Sequence, residues 1–144
     1  MTQIKPTLYY KSLMLIKNSN LVSPNDILLL GQDYNVGLYL GFGLLGAMLA
    51  SKSIQKYIVA ISDKYIKLFL LDSNGNFTNK LIEAPIAKIE KLTGKNPFIF
   101  RYNDHKYTII TAKKMFKVEQ KEEFKVAIKL LSNLNKEIKE RKRL

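Results

Sequence analysis

The feature that most constrains the fold is a succession of short β-prone runs, separated by turn-forming residues, in the second half of the chain. The runs span residues 57–61, 65–71, 77–83, 98–102 and 106–111, and residues 85–92 add a single helical turn that leads into another strand. The link at Asn74-Gly75 is the strongest short-range hairpin signal. Consecutive strands are joined by about two to five residues, whereas parallel strands need crossovers of about a dozen or more. The sequence therefore predicts an antiparallel sheet.

Two helices are predicted, one towards each end of the chain. The apolar positions of residues 122–138 recur at spacings of three and four and form one stripe: Phe124, Ala127, Ile128, Leu131, Leu134 and Ile138. We expect this helix to cover one face of the sheet or to plug one end. Residues 8–20 are predicted to form a shorter amphipathic helix, residues 27–30 a strand and residues 31–35 a loop. The 144 residues are thus predicted to form a single α+β domain, residues 1–144, with an N-terminal part (1–56) and a sheet-and-helix part (57–144).

An uncharged segment, residues 34–51, interrupts this pattern, and residues 38–50 are strictly apolar. We predict a glycine-rich helical segment here. Its apolar stretch is shorter than the about 17–25 residues of a membrane-spanning helix, and glycines weaken a helix. Ordinary burial, self-association, contact with a membrane surface and a membrane span therefore stay open as alternatives. The residues predicted to make a membrane or self-association contact are Leu38, Leu40, Phe42, Leu44, Leu45, Met48 and Leu49.

The same segment contains a glycine pattern of dinucleotide-binding loops. Residues 41–46, GFGLLG, match G-x-G-x-x-G, and Asp63 follows Gly41 near the place where such proteins have a ribose-binding acid. A loop of this kind directs backbone N–H groups at a pyrophosphate. Every later link is a hairpin, however, whereas a dinucleotide fold needs several parallel strands. A nucleotide-binding protein using Gly41, Gly43, Gly46 and Asp63 is kept as an alternative, and the leading interpretation includes no cofactor.

The net charge of +12 is concentrated in the second half of the chain. Residues 1–72 contain seven Lys/Arg and four Asp/Glu, and residues 73–144 contain seventeen and eight. A basic half indicates an anionic partner, although a solvated surface has the same composition. Only three of the 24 basic residues are Arg, which disfavours specific nucleic-acid recognition, so a basic nucleic-acid-binding protein stays an alternative. The predicted cationic patch, with Tyr102 and Tyr107 close by, comprises Lys88, Lys91, Lys95, Arg101, Lys106, Lys113 and Lys114.

Residue types that carry catalysis are sparse. The chain has no cysteine, and its single histidine, His105, falls in the predicted turn 103–105, so zinc and thiolate sites are not expected. The serines lack a nucleophile-elbow context, and the carboxylates are scattered. We predict a non-enzymatic protein with no catalytic residues and no metal. Residues 1–6 show no signal-peptide pattern, so a cytoplasmic protein is expected, at the inner face of the membrane if it binds lipid.

From residue 57 onward the order of elements resembles the bacterial pleckstrin-homology-like (PH-like) domain family. The clearest similarity is the strand–turn–strand of residues 59–69, VAISDKYIKLF, in which Tyr65 stands where the family commonly has Arg. The hairpin at Asn74-Gly75 follows. Residues 85–89, PIAKI, are similar to the family's isoleucine-any-any-isoleucine pattern before the next strand. The helix of residues 122–138 then stands where the family has its capping helix.

The resemblance implies a half-open barrel of two antiparallel sheets with a C-terminal capping helix, in domains that bind lipids, peptides or partner proteins. The basic phosphoinositide-binding loop of the eukaryotic relatives has no clear counterpart between residues 31 and 56, so no site residue is transferred. Our leading hypothesis is a non-enzymatic binding or scaffold domain of PH-like type. It would contact an anionic membrane surface, or self-associate as a homo-oligomer, through the apolar segment. An unknown protein or an anionic lipid is the expected partner.

Overall fold

A computed structural model describes residues 8–33, 55–93, 98–115 and 118–143 of the chain, and these form an α+β structure. The helices are α1 (Leu8–Lys17), a 3-10 turn (Ile86–Lys88) and α2 (Lys121–Arg143). The strands are β1 (Ile27–Asp33), β2 (Lys56–Ile61), β3 (Tyr65–Leu71), β4 (Phe77–Pro85), β5 (Lys91–Leu92), β6 (Phe98–Tyr102), β7 (His105–Thr111), β8 (Lys114–Met115) and β9 (Val118–Glu119). The predicted α+β class is confirmed.

Seven strands form one antiparallel sheet in the order β4-β3-β2-β1-β7-β6-β5, with β1 at its centre. Strands β8 and β9 form a separate two-stranded hairpin. The two halves of the large sheet join where residues 31–33 of β1 pair with residues 109–111 of β7. The predicted antiparallel arrangement is confirmed. All seven strands belong to one hydrogen-bonded sheet, whereas the resemblance implies two packed sheets.

Two of the turns show why the hairpins form where the sequence predicts them. In the β3–β4 turn, Oδ1 of Asp72 accepts hydrogen bonds from the backbone N–H groups of Asn74 and Asn76, both at 2.9 Å. Gly75 has φ of +94°, a conformation that glycine adopts at little cost. Asn103 and Asp104, with φ of 54° and 61°, form the two-residue turn between β6 and β7. His105, predicted to be part of this turn, is the first residue of β7.

Helix α2 packs four of the six residues of its predicted apolar stripe against one face of the sheet, here called the inner face. The other two, Phe124 and Ile128, are only partly buried. Ala127, Leu131, Leu134 and Ile138 are buried in the same hydrophobic cluster as Ile66 of β3 and Phe98 of β6, so both halves of the sheet share this core. The helix runs beyond the predicted residue 138 to Arg143. Its last turn is held by Arg141, whose guanidinium donates hydrogen bonds to the backbone carbonyls of Ile86 (3.2 Å) and Ile89 (2.8 Å).

Helix α1 covers part of the opposite, outer face. Ile16 of α1 is buried with Leu30 of β1, Ile58 of β2 and Phe69 of β3, and Met115 and Val118 of the β8–β9 hairpin join this second cluster. Both faces of β2 are consequently covered, and every residue from Tyr57 to Ile61 is buried. This explains why the sequence of β2 is continuously apolar instead of alternating.

The prediction of a loop at residues 31–35 is wrong for residues 31–33, which continue β1. Gly31 is required there because β7 comes very close. A Cβ atom at this position would lie 2.9 Å from Cγ2 of Ile109 and 3.1 Å from the carbonyl oxygen of Ile110. The glycine therefore marks a close strand contact, not the end of a strand.

The apolar segment of residues 38–50, with the GFGLLG loop and all seven predicted contact residues from Leu38 to Leu49, lies outside the described residues. Within the part of the chain that the structure describes, no helix is both long enough and apolar enough to cross a membrane.

Candidate functional site

Three cations of the predicted patch lie side by side across neighbouring strands. Lys91 of β5 pairs with Arg101 of β6, and Arg101 pairs with Lys106 of β7. All three side chains are exposed, and because strands lie about 4.8 Å apart, the row is about 10 Å wide. Like charges directly opposite each other destabilise a sheet, so this cationic row (Lys91, Arg101 and Lys106) does not help the fold. Glu90 offsets it weakly, with its carboxylate 3.9 Å from Nε of Arg101.

The strand register places the cationic row on the outer face. Gln32 of β1 pairs with both Lys56 and Ile110, and Lys56 pairs with Leu71, which belongs to the outer cluster. Lys106 lies four residues before Ile110 on β7 and so shares its face. Tyr102 and Tyr107 point to the inner face instead and pack against the core. They do not stand among the cations of the row.

The remaining cations of the predicted patch are dispersed. Lys88 is exposed in the 3-10 turn, and Lys113 and Lys114 follow the far end of β7. Lys114 forms an ion pair with Glu119 across the β8–β9 hairpin, at 3.6 Å. Lys95 lies outside the described residues. The register thus groups three of the seven predicted cations and separates three others from them.

A half-buried carboxylate lies at the junction of β1 and β7. Burial raises the pKa of Asp33, and the hydrogen bond from the Tyr57 hydroxyl and the nearby His105 oppose this shift. Burial, together with the Asp33 charge and the hydrogen bond to it, also raises the pKa of Tyr57. His105 is exposed, with its ring 4.4 Å from that of Tyr107. Among the described residues no group of three or more His, Cys, Asp or Glu side chains is arranged to hold a metal ion.

The position of Asp63 argues against the dinucleotide-binding alternative. Asp63 is exposed in the turn between β2 and β3. In a dinucleotide-binding unit the strand before this acid lies next to a parallel strand. Both neighbours of β2, the strands β1 and β3, are antiparallel to it.

A groove of about 790 Å³ opens between the two helices. Its walls are α1, the connection from residue 18 to residue 26, the start of β1, strand β9 and the first turns of α2. We call this the interhelical groove. Its volume falls within the range of about 300–1,000 Å³ typical of ligand sites. The apolar lining residues are Leu13, Met14, Val22, Pro24, Ile27, Leu28, Val118 and Val126, and Tyr10 adds an aromatic ring.

Four of the chain's twelve acidic residues line the interhelical groove, and Lys17 is the one cation among the described lining residues. The acidic residues are Asp26, Glu119, Glu122 and Glu123. Asp26 is fixed in place, since its Oδ2 accepts hydrogen bonds from the Tyr65 hydroxyl (2.6 Å) and from the N–H of Ser23 (3.0 Å). A protein with twice as many basic as acidic residues therefore has a locally acidic groove.

A buried glutamine fixes one wall of the groove to the sheet. Gln120 is 3% exposed. Its Oε1 accepts a hydrogen bond from the N–H of Leu30 at 2.7 Å, and its Nε2 donates to the carbonyls of Leu30 (3.0 Å) and Ala112 (2.8 Å). Thr111 also donates to the Leu30 carbonyl, at 2.7 Å. The side chain of Gln120 thus forms hydrogen bonds with both the N–H and the carbonyl of Leu30, as the backbone of a neighbouring strand would.

Sequence reasoning did not identify the interhelical groove. One signal was available in residues 8–17, LYYKSLMLIK, which have only two charged positions in ten. A helix with so few charges has apolar residues on more than the one face that packs against the core. Tyr10 and Met14 are indeed exposed. The acidic side of the groove combines Asp26 with a distant short stretch that contains Glu119, Glu122 and Glu123, and no local signal joins the two.

Comparison of the chain with protein-family models, with curated proteins and with solved structures gives no match in any of the three.

Proposed function

We propose that the protein is a non-enzymatic binding domain of PH-like type that attaches to an anionic membrane surface through the cationic row. The observation that carries the proposal is the register that aligns Lys91, Arg101 and Lys106 on three adjacent strands. A cluster of like charges that weakens the sheet is best explained by a ligand of opposite charge.

The order of elements supports the PH-like assignment. Seven antiparallel strands precede one long C-terminal helix, and that helix packs into a core shared by both halves of the sheet. Helix α1 and the β8–β9 hairpin are additions to the arrangement that the resemblance implies. A fold of this class is a scaffold for binding, and its ligand depends on the surface that it presents.

The expected membrane affinity from the cationic row alone is modest. Each Lys or Arg close to an anionic surface contributes about 1 kcal/mol, so three contribute about 3 kcal/mol. Stable attachment needs a second contact. We assign this contact to the apolar segment of residues 38–50, which would also be the self-association surface, and we place the protein in the cytoplasm at the inner face of the membrane.

The test is flotation of the purified protein with phosphatidylcholine vesicles, with and without phosphatidylserine. Binding should require phosphatidylserine and weaken as salt is raised. The triple variant K91Q/R101Q/K106Q should lose about a hundredfold in binding. The control K125Q/K129Q/K139Q removes the same number of exposed cations from the solvent side of α2 and should lose less than about threefold.

Equal losses in the two triple variants would show that net charge, not the cationic row, determines binding, and would reject the proposal. A Leu45→Asp variant tests the second contact separately. Loss of vesicle binding in that variant alone would assign attachment to the apolar segment. Absence of vesicle binding by the unmodified protein would contradict membrane attachment altogether.

A further inference from the structure

We propose that the interhelical groove binds a cationic amphipathic helix from a partner protein. The groove combines an apolar lining with carboxylates at its rim. This site is distinct from the cationic row, which the structure places over β5, β6 and β7.

Exposed apolar side chains of both helices line the groove. Tyr10 and Met14 of α1 and Val126 of α2 are three of the seven exposed large hydrophobic side chains among the described residues, and all three line the groove. Val126 is 52% exposed although it lies one residue before the buried Ala127. A ligand that removes these side chains from water must itself present apolar groups.

The charges at the rim determine which sign of charge the ligand must carry. Glu122 and Glu123 lie in the first turn of α2, where the helix terminus supplies the equivalent of about half a positive charge. Two carboxylates exceed this compensation, and Asp26 adds a third that is held by Tyr65 and Ser23. Glu119 is partly compensated by Lys114. Lys17, the one cation among the described lining residues, offsets one of these carboxylates. The remaining charge is negative, so the rim favours Lys or Arg beside the apolar anchors of the ligand.

The shape of the groove fits a helix. One wall is α1, whose ten residues extend for about 15 Å. Helices that bind in grooves of this kind present anchors at positions i, i+3 or i+4, and i+7, over about the same length. The volume of about 790 Å³ leaves space for several such side chains.

Two other occupants fit the groove less well. An anionic membrane surface would be repelled by the rim carboxylates. A second copy could offer the lysines of its α2, but the apolar stripe of that helix is buried in its own core, so the exposed side supplies cations without anchors. A separate protein that carries both features on one helix face matches the groove best.

The test measures fluorescence anisotropy of a labelled synthetic helix with leucines at i, i+3, i+4 and i+7 and lysines on its flanks, titrated with the full chain. Two control peptides have the same leucines flanked by glutamates, or the same composition in scrambled order. Only the cationic amphipathic peptide should bind the groove, although the net charge of +12 opposes its approach. E122Q/E123Q and Val126→Gln should each weaken binding about tenfold.

Matched protein controls separate the groove from the rest of the surface. E137Q/E140Q removes two exposed carboxylates from the far end of the same helix, and Leu81→Gln removes an exposed leucine from β4. Neither should change the affinity by more than about twofold. Equal binding of the scrambled peptide, no binding of the cationic peptide, or equal losses in control and groove variants would overturn the proposal. So would a dimer in solution that Val126→Gln dissociates, because a second copy would then occupy the groove.

Discussion

The outer face of the sheet is used differently by its two halves. Over β1, β2 and β3 it is covered by α1 and the β8–β9 hairpin, and the edge of this cover forms the acidic, apolar interhelical groove. Over β5, β6 and β7 it carries the exposed cationic row. One continuous sheet thus presents two surfaces of opposite charge. The net charge of +12 therefore describes neither surface. The ligand that each region can bind depends on the elements that cover the sheet there.

The largest loss of stability should come from substitution of Gln120, which supports the groove but does not contact the cationic row. In Gln120→Ala the N–H of Leu30 and the carbonyl of Ala112 lose the side-chain partner that they have in the structure. We expect the free energy of unfolding to fall by about 3 kcal/mol, because each unsatisfied buried polar group costs about 1–3 kcal/mol. Urea denaturation measures the change. Gln32→Ala is the control, because Gln32 lies in β1 close to Leu30. A similar, small loss of stability in both variants would contradict the role given to Gln120.

A smaller loss is expected at Gly75, where α1 meets the β3–β4 turn. A Cβ atom here would lie 2.4 Å from Cδ1 of Tyr9, and the residue has φ of +94°. Ser12 of α1 also donates a 2.6 Å hydrogen bond to the Gly75 carbonyl. Gly75→Ala should lower the free energy of unfolding by about 2 kcal/mol.

The same variant tests whether the two surfaces are separable. Displacement of α1 should weaken binding of the cationic peptide while vesicle binding stays unchanged. Asn74→Ala, in the same turn, serves as the control for both measurements. Parallel loss of peptide and vesicle binding in Gly75→Ala would show that the surfaces depend on each other.

The stability of the β1–β7 junction should depend on pH through Asp33, which belongs to neither the cationic row nor the interhelical groove. Burial raises the pKa of Asp33 above the usual 3.8, so the folded state keeps the proton to higher pH than the unfolded state. The stability contributed by this proton is complete below the unfolded pKa and is lost as the pH rises through the folded pKa. Asp33→Asn carries no charge and keeps an acceptor for Tyr57.

The free energy of unfolding of Asp33→Asn, relative to the unmodified protein, should therefore increase as the pH is raised from acid to neutral. Chemical denaturation at several pH values measures it, and Asp63→Asn in the exposed β2–β3 turn controls for the loss of one carboxylate. A difference that stays constant with pH would contradict this assignment.

The smallest effects are expected when each charge variant is tested against the ligand of the other surface. K91Q/R101Q/K106Q should change the affinity for the cationic peptide by less than about twofold, and E122Q/E123Q should change vesicle binding as little, because the sites lie on separate elements and surface charges are screened beyond about 10 Å. Anisotropy and flotation, run on both variants at one salt concentration, measure this. A change in both assays for either variant would mean that long-range charge, not local geometry, controls binding.

Local signals predicted much of the fold. The turn at Asn74-Gly75 and the apolar stripe of α2 are encoded by neighbouring residues, and the structure has both. Gly31 was misinterpreted because a glycine that permits close strand contact looks the same in sequence as one that ends a strand. The β8–β9 hairpin has strands of two residues each, too short for any periodicity.

The candidate sites were less predictable because they depend on register and on packing between distant segments. The sequence indicated seven cations, but only the pairing of β5, β6 and β7 shows that Lys91, Arg101 and Lys106 share one face. The interhelical groove joins Met14, Asp26 and Val126, and no short window of sequence contains two of them.

The hydrogen bonds of Gln120 have a kinetic consequence for the central strand. The amide hydrogen of Leu30 is held by a side chain immediately before α2, so it can exchange with solvent only when Gln120 withdraws. Other amides of β1 are protected by neighbouring strands and exchange when the sheet opens. If the start of α2 detaches more often than the sheet unfolds, Leu30 will exchange faster than its neighbours in β1. This single amide, in the central strand of the sheet, would then report local opening at the start of the C-terminal helix.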